Sequence, residues 1–159
     1  MSECVKFNTY HSCEDNTEIV HRDKEGKEYC ILHAPIEIRK NLKLENKFNQ
    51  VVEQKKKMHS YNFGGCHFEN IMEVGRNPLG DQWNLDFRDC IFENDLNIKG
   101  IKIGLSDFSG AHFHKAAILT VQNSTEKANL MRLSLLEKQT SQIVLLKVGR
   151  IITKSNIEH

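Results

Sequence analysis

Cys4, Cys13, Cys30 and His33 are the residues whose types and spacing are best suited to chemistry. The local signature is GKEYCILH, a glycine-bearing turn followed by Cys-x-x-His. Two residues between ligands suit chelation of one ion, because a tight turn aims both side chains at one point. Tetrahedral Zn(II) accepts three thiolates and one imidazole. The pair Cys4 and Cys13 is wider than the usual spacing of about two to four residues. His11 and His21 lie in the same stretch and are alternative ligands. The competing reading is a set of buried, reduced cysteines among surface histidines. A redox or nucleophilic Cys–His pair needs a third group to orient it, and the sequence identifies none. A catalytic zinc would keep one coordination position open, so four available ligands favour a closed, structural site.

Other catalytic signatures do not stand out. There is no glycine-rich phosphate loop, no G-x-S-x-G and no H-E-x-x-H. Carboxylates are scattered over surface-type positions. The expectation is a protein that is not an enzyme, with a metal-dependent enzyme or redox sensor built on the Cys/His cluster as the alternative.

Three regions must position these residues. Residues 1–38 form a small Cys/His module whose apolar residues (Val5, Phe7, Ile19, Val20, Tyr29, Ile31, Leu32) are scattered. A segment this small has little core of its own, and a bound metal would supply the missing stabilisation. Residues 39–60 hold an amphipathic helix, expected over Asn41–Met58 with Asn41 as N-cap. Leu44, Phe48, Val51 and Val52 fall at helical spacing, and Leu42 extends that face. Lys55, Lys56 and Lys57 then make a solvated helix end, favourable for cations. A nucleic-acid patch is the lesser reading of that cluster.

Residues 61–159 follow a different rule. In LNIKGIKIGLSDFSGAHFHKAAI (Leu96 to Ile118), large apolar residues recur every fifth position at Ile98, Ile103, Phe108, Phe113 and Ile118. Leu96, Ile101, Ser106, Ala111 and Ala116 each stand two before one of them. Alternating steps of two and three fit neither an amphipathic helix nor an ordinary half-buried strand. They describe very short strands separated by corners, winding so that apolar residues face inward. The same rule places Tyr61, Phe63, Cys66, Phe68, Leu85, Phe87, Cys90 and Phe92 inward, with Cys66 and Cys90 as small buried hydrophobes. Asp95 reads as a one-residue insertion. Residues 71–84 break the register and read as a loop, marked by Gly75, Pro78 and Gly80. Trp83 in that loop either packs or anchors a partner. Asn97, Lys99, Lys102, Asp107, Ser109, His112, His114 and Lys115 face outward; Leu105 and Leu119 are apolar exceptions. The register blurs after Ile118, returns at Ala128–Arg132 with Leu133 and Leu135, and ends in an irregular apolar segment.

S-D-F-S-G, A-H-F-H-K and A-N-L-M-R together resemble the pentapeptide repeat, summarised as A-(D/N)-L-x-x. That resemblance implies a mainly β fold: a right-handed quadrilateral β-helix of about three irregular coils, capped by one α-helix. Cys30, His33 and Pro35 are also similar to a C-x-F-H-x-P-like motif that precedes the repeats in some bacterial members. The repeat pattern, the polar outer faces and the missing catalytic set point to a scaffold whose stacked faces bind another protein, and the resemblance allows a homodimer through a coil end.

Composition narrows the setting. Lys+Arg is 22 and Asp+Glu is 21, for a net charge of +1 over 159 residues. Such a balance gives no field to recruit nucleic acid, so no nucleic-acid partner is expected. The stretch MSECVKFNTY lacks the basic and apolar regions of a signal peptide, and no apolar run is long enough to span a membrane. The expectation is a cytoplasmic protein with reduced thiols.

Overall fold

The computed structural model describes residues 4–10, 12–13, 18–75, 82–122 and 144–149. His11, Pro78, Gly80, Ala128–Arg132, Leu133 and Leu135 lie outside the described residues. Helix α1 (Phe7–Tyr10) precedes a hairpin of β1 (Ile19–Arg22) and β2 (Glu28–Cys30). Helices α2 (Ile36–Asn41) and α3 (Glu45–Lys57) follow. The remaining strands are β3 (Tyr61–Asn62), β4 (His67–Phe68), β5 (Met72–Val74), β6 (Gln82–Asp86), β7 (Ile91–Phe92), β8 (Leu96–Asp107), β9 (His112–Phe113), β10 (Ala117–Gln122) and β11 (Val144–Gly149). Strand therefore outweighs helix. No helix among the described residues is long and apolar enough to cross a membrane.

The single expected helix is two. Asn41 ends α2, and Leu44, not Asn41, caps α3. Between them Lys43 adopts a left-handed backbone at φ 56°. Its N–H bonds to Lys40 O at 3.0 Å, and Leu44 N–H bonds to Arg39 O at 2.7 Å. This is a Schellman stop made without the usual glycine, so nothing in the residue types announces it. α3 ends in the same way at His59, also at φ 56°. The break leaves Leu42 exposed instead of extending the apolar face. Phe48, Val51, Val52 and Lys55 are buried on one side of α3. Lys55 follows Phe48 by two helical turns and so shares its face. It is therefore not part of a solvated helix end. Its Nζ reaches Ser12 O at 3.3 Å and lies 5.9 Å from the Phe63 ring centre. Arg39 of α2 is also buried, with its guanidinium 3.9 Å from the Phe48 ring centre and Nη2 donating to His67 O at 2.7 Å.

From Tyr61 the strands pair in parallel with strands that lie one pass further along the chain. Tyr61 pairs with Leu85, His67 with Ile91 and Met72 with Leu96. Leu85 then pairs with Ser106, Ile91 with His112 and Leu96 with Ala117. β10 pairs onward with β11. The first part of β8, through Ile101, joins β10, and through Ile98 also β5; its later part, from Lys102, joins β6, and Gly100, left-handed at φ 67°, lies just before this change. Three turns stack between passes, at Phe63–Cys66, Phe87–Cys90 and Phe108–Ala111. Their third residues, Gly65, Asp89 and Gly110, are all left-handed. Gly65 N–H bonds to Arg88 O at 2.7 Å and Asp89 N–H to Ser109 O at 2.8 Å, so each turn satisfies the one before it.

Two register expectations are corrected here. The loop at 71–84 is shorter, because β5 and β6 occupy its ends. Met72 and Val74 are buried around exposed Glu73, which is strand alternation. Asp95 is no isolated insertion either. Phe68 leads to buried Met72, Phe92 to buried Leu96 and Phe113 to buried Ala117, the same longer corner each time. Ala117 thus replaces Ala116 as the inward residue, and Ile118 pairs with outward Asn97.

Stacked aromatic rows fill the space between the sheets. Phe63 stacks on Phe87 at 5.8 Å, and Phe87 on Phe108 at 5.4 Å. Phe68 stacks on Phe92 and Phe92 on Phe113, both at 5.1 Å. Trp83 is buried and stacks on Tyr61 at 4.8 Å. Cys4, Cys13, Cys30, Ile31 and Leu32 belong to the same core as these rows. The N-terminal module therefore packs onto the first pass of strands rather than standing apart.

Candidate metal centre

Cys4, Cys13, Cys30 and His33 meet in one buried cluster, with ligand atoms all within 4.8 Å of one another. Each arrives on a different local support. Cys4 precedes α1, and Val5 N–H bonds to Glu28 O at 2.7 Å, which fixes that segment beside β2. Cys30 ends β2. His33 follows on a tight turn in which its own N–H bonds to Cys30 O at 3.1 Å. Cys13 comes from the segment after α1 and lies 3.4 Å from Cys30, sulfur to sulfur.

His33 Nδ1 faces the sulfurs: 3.1 Å from Cys13, 3.4 Å from Cys4 and 3.4 Å from Cys30. Tetrahedral zinc with ordinary bond lengths would set its ligand atoms about 3.5–3.8 Å apart. The cluster is thus of the right size for one ion. His33 Nε2 lies 2.9 Å from Gly64 O and 3.0 Å from Ser12 Oγ. A carbonyl only accepts, so Nε2 carries the proton. In neutral His33, Nδ1 then presents its lone pair to the sulfurs, as a metal ligand must.

The charges in the cluster point the same way. Hydrogen bonds from Cys13 and Cys30 hold the Cys4 thiol well below the usual thiol range. Hydrogen bonding with Cys30 and Cys4 pushes the Cys13 thiol up instead. Burial opposes a charge on His33, but hydrogen bonding with Cys30 and Cys4 outweighs it and pushes the pKa up to about 12. The Cys4 thiolate is thus paired with a proton held on His33. A divalent ion bound there would take the place of that proton and leave His33 neutral.

The cluster is joined to the strands through one turn. Ser12 Oγ donates to Gly64 O at 3.1 Å, beside the His33 bond to the same carbonyl. The Tyr10 ring packs against Gly64 and Gly65. A Cβ at either glycine would sit 2.7 Å or 2.6 Å from a ring carbon, so the seat requires glycine. Tyr10 OH donates to Asp89 Oδ2 at 2.8 Å, in the next stacked turn.

Burial, reinforced by Asp89, pushes the Tyr10 phenol up to about 12. The folded state holds this proton more tightly than the unfolded chain does. The stability it contributes is complete below about pH 10 and is lost as pH rises through the folded pKa. Tyr10→Phe should cost about 1–2 kcal/mol at neutral pH. It should also flatten part of the alkaline fall, while Tyr61, likewise pushed up to about 12 by burial, keeps its share. Denaturant unfolding at stepped pH measures both; an alkaline profile identical to the parent's would mean that the hydroxyl does not hold the joint.

His21 is elsewhere: it is half-buried in β1 and stacks on Tyr29 at 5.9 Å. Cys66 and Cys90 are buried and are not among the four converging groups, although Cys66 neighbours His33. The Cys90 thiol donates to Phe63 O at 3.1 Å, and burial pushes its pKa up. Ser12, Gly64 and Tyr10 were not legible as parts of the site. The Gly64–Gly65 pair was the available signal, since adjacent glycines mark close backbone approach. Compared with protein-family models, curated proteins and solved structures, the chain matches none.

Proposed function

We propose that Cys4, Cys13, Cys30 and His33 hold one structural Zn2+, and that the chain from Tyr61 onward is a pentapeptide-repeat scaffold of right-handed quadrilateral β-helical form that binds another protein. The observation that carries the metal reading is the convergence of three sulfurs on His33 Nδ1 while Nε2 is committed to Gly64 O. Thiolates with imidazole suit zinc among the common divalent ions. All four donors are buried, and four protein ligands complete a tetrahedron, which favours structure over catalysis. The β-helical reading rests on the repeated parallel pairing, the stacked turns and the recurring corner. Five reduced cysteines suit a cytoplasmic setting.

Purified protein should contain one zinc per chain. X-ray absorption should show three sulfurs and one nitrogen around it. Acidification should release the ion, because protons compete for the thiolates. A water in the coordination shell would turn the reading toward a metal-dependent enzyme; protein purified without zinc that takes up none would end the zinc reading. For the scaffold, immobilised protein should retain a protein partner that is lost when outward Lys99 and His112 are changed. Hydrolase or transferase activity abolished by such a surface change would overturn it.

A further inference from the structure

On the three-stranded sheet β4-β7-β9 a glutamate stands between two histidines. Glu93 follows β7, and its two carboxylate oxygens face different imidazoles. Oε1 lies 2.7 Å from His67 Nε2, and Oε2 lies 3.4 Å from His114 Nδ1. The three residues come from three successive passes of the chain. The backbone fixes their order: Glu93 N–H bonds to Phe68 O and His114 N–H to Phe92 O. His67 stands on the neighbouring outward row, whose ladder runs His67, Ile91, His112. Glu93 thus reaches back to the first pass and forward to the third.

We propose that His67, Glu93 and His114 form a second, solvent-facing site for a divalent transition-metal ion such as Zn2+. Two imidazoles and a carboxylate are the donor set that such ions prefer over Mg2+ or Ca2+. Side-chain exposures of 23%, 36% and 57% for His67, Glu93 and His114 leave the group open to water, which completes the coordination. His114 is the most exposed of the three. Nearby, Lys40 pairs with Glu69 and Lys115 reaches Asn94. An ion here would tie three passes together from outside. It would be independent of the thiolate centre, which lies on a different part of the chain and uses soft ligands. The sequence pairs His114 with His112 through their spacing, but the fold gives His114 the carboxylate of Glu93 instead.

The test titrates the full chain with Zn2+ after the thiolate centre has been filled with one equivalent. A second equivalent should bind, and the melting temperature should rise with its occupancy. Glu93→Gln and His114→Ala change exposed or half-exposed groups, so both variants should fold. Each should weaken the second equivalent by more than about tenfold and remove the melting shift. His112→Ala should do neither. Cys30→Ser should lose the first equivalent and keep the second, which separates this proposal from the thiolate one. Absence of a second equivalent, its retention at full affinity in Glu93→Gln, or its loss in His112→Ala would each overturn the assignment.

Discussion

Cys30→Ser should release the metal and loosen everything before Ala34. Cys30 is fully buried, contacts both Cys13 and His33, and ends the strand that carries the hairpin. Structural zinc in small modules contributes about 10–16 kcal/mol of apparent folding free energy, and losing one thiolate should remove several kcal/mol of it. The variant should purify with zinc below one-tenth of an equivalent. Limited proteolysis should cut the N-terminal module first, because its own apolar residues are few. The strands should persist, since the aromatic rows do not pass through the cluster. Cys66→Ser should keep the metal. Full zinc content in Cys30→Ser, or protease resistance unchanged by chelator in the parent, would remove the metal from the account of how this module is held.

Phe87→Ala should be the most damaging change among the strands. Phe87 is fully buried and touches four other rings: Phe63, Phe68, Phe92 and Phe108, at 5.8, 6.5, 5.6 and 5.4 Å between centres. Truncation deletes a ring from the middle of a stack held on both sides by paired strands, so the cavity cannot easily collapse. The cost should be about 3–5 kcal/mol, a large share of an ordinary domain's stability. Exposed Lys99→Ala should stay within about 0.5 kcal/mol. Urea unfolding of both variants gives the comparison. Equal losses would mean that the inward and outward rows are wrongly assigned.

The inward rows were legible because a strand's side-chain alternation is imposed by backbone geometry, and aromatic residues at Phe63, Phe68, Phe87, Phe92, Phe108 and Phe113 repeat it without exception. The four members of the Cys/His cluster were legible because few residue types ligate metals and fewer occur in a Cys-x-x-His turn. Less could be read where the deciding contact is distant. Spacing puts Lys55 on the face of Phe48, but its distant contacts with Ser12 O and the Phe63 ring, which let a lysine be buried there, cannot be read from the helix alone. The stop at Lys43 uses a conformation that its side chain does not advertise. The longer corner looked like an accident at Asp95 because the flanking unit at Ala116–Ile118 also fits the shorter spacing. Only pairing of Ala117 with Leu96 decides between them.

The joint between Tyr10, His33 and the stacked turns has a consequence for the order of assembly. During synthesis the Cys/His segment emerges before the stacked strands, so its dock does not exist at that time. Gly64 must follow His33, and Asp89 comes later still. A metal ion needs only the residues up to His33, so ligation can organise the nascent segment, with its β1–β2 hairpin, before any of the parallel strands has a partner. The parallel strands cannot pair until a whole further pass is available, which makes their contacts distant in sequence and slow to form. The bound segment would then offer the first completed turn a ready surface, giving the growing stack a starting end.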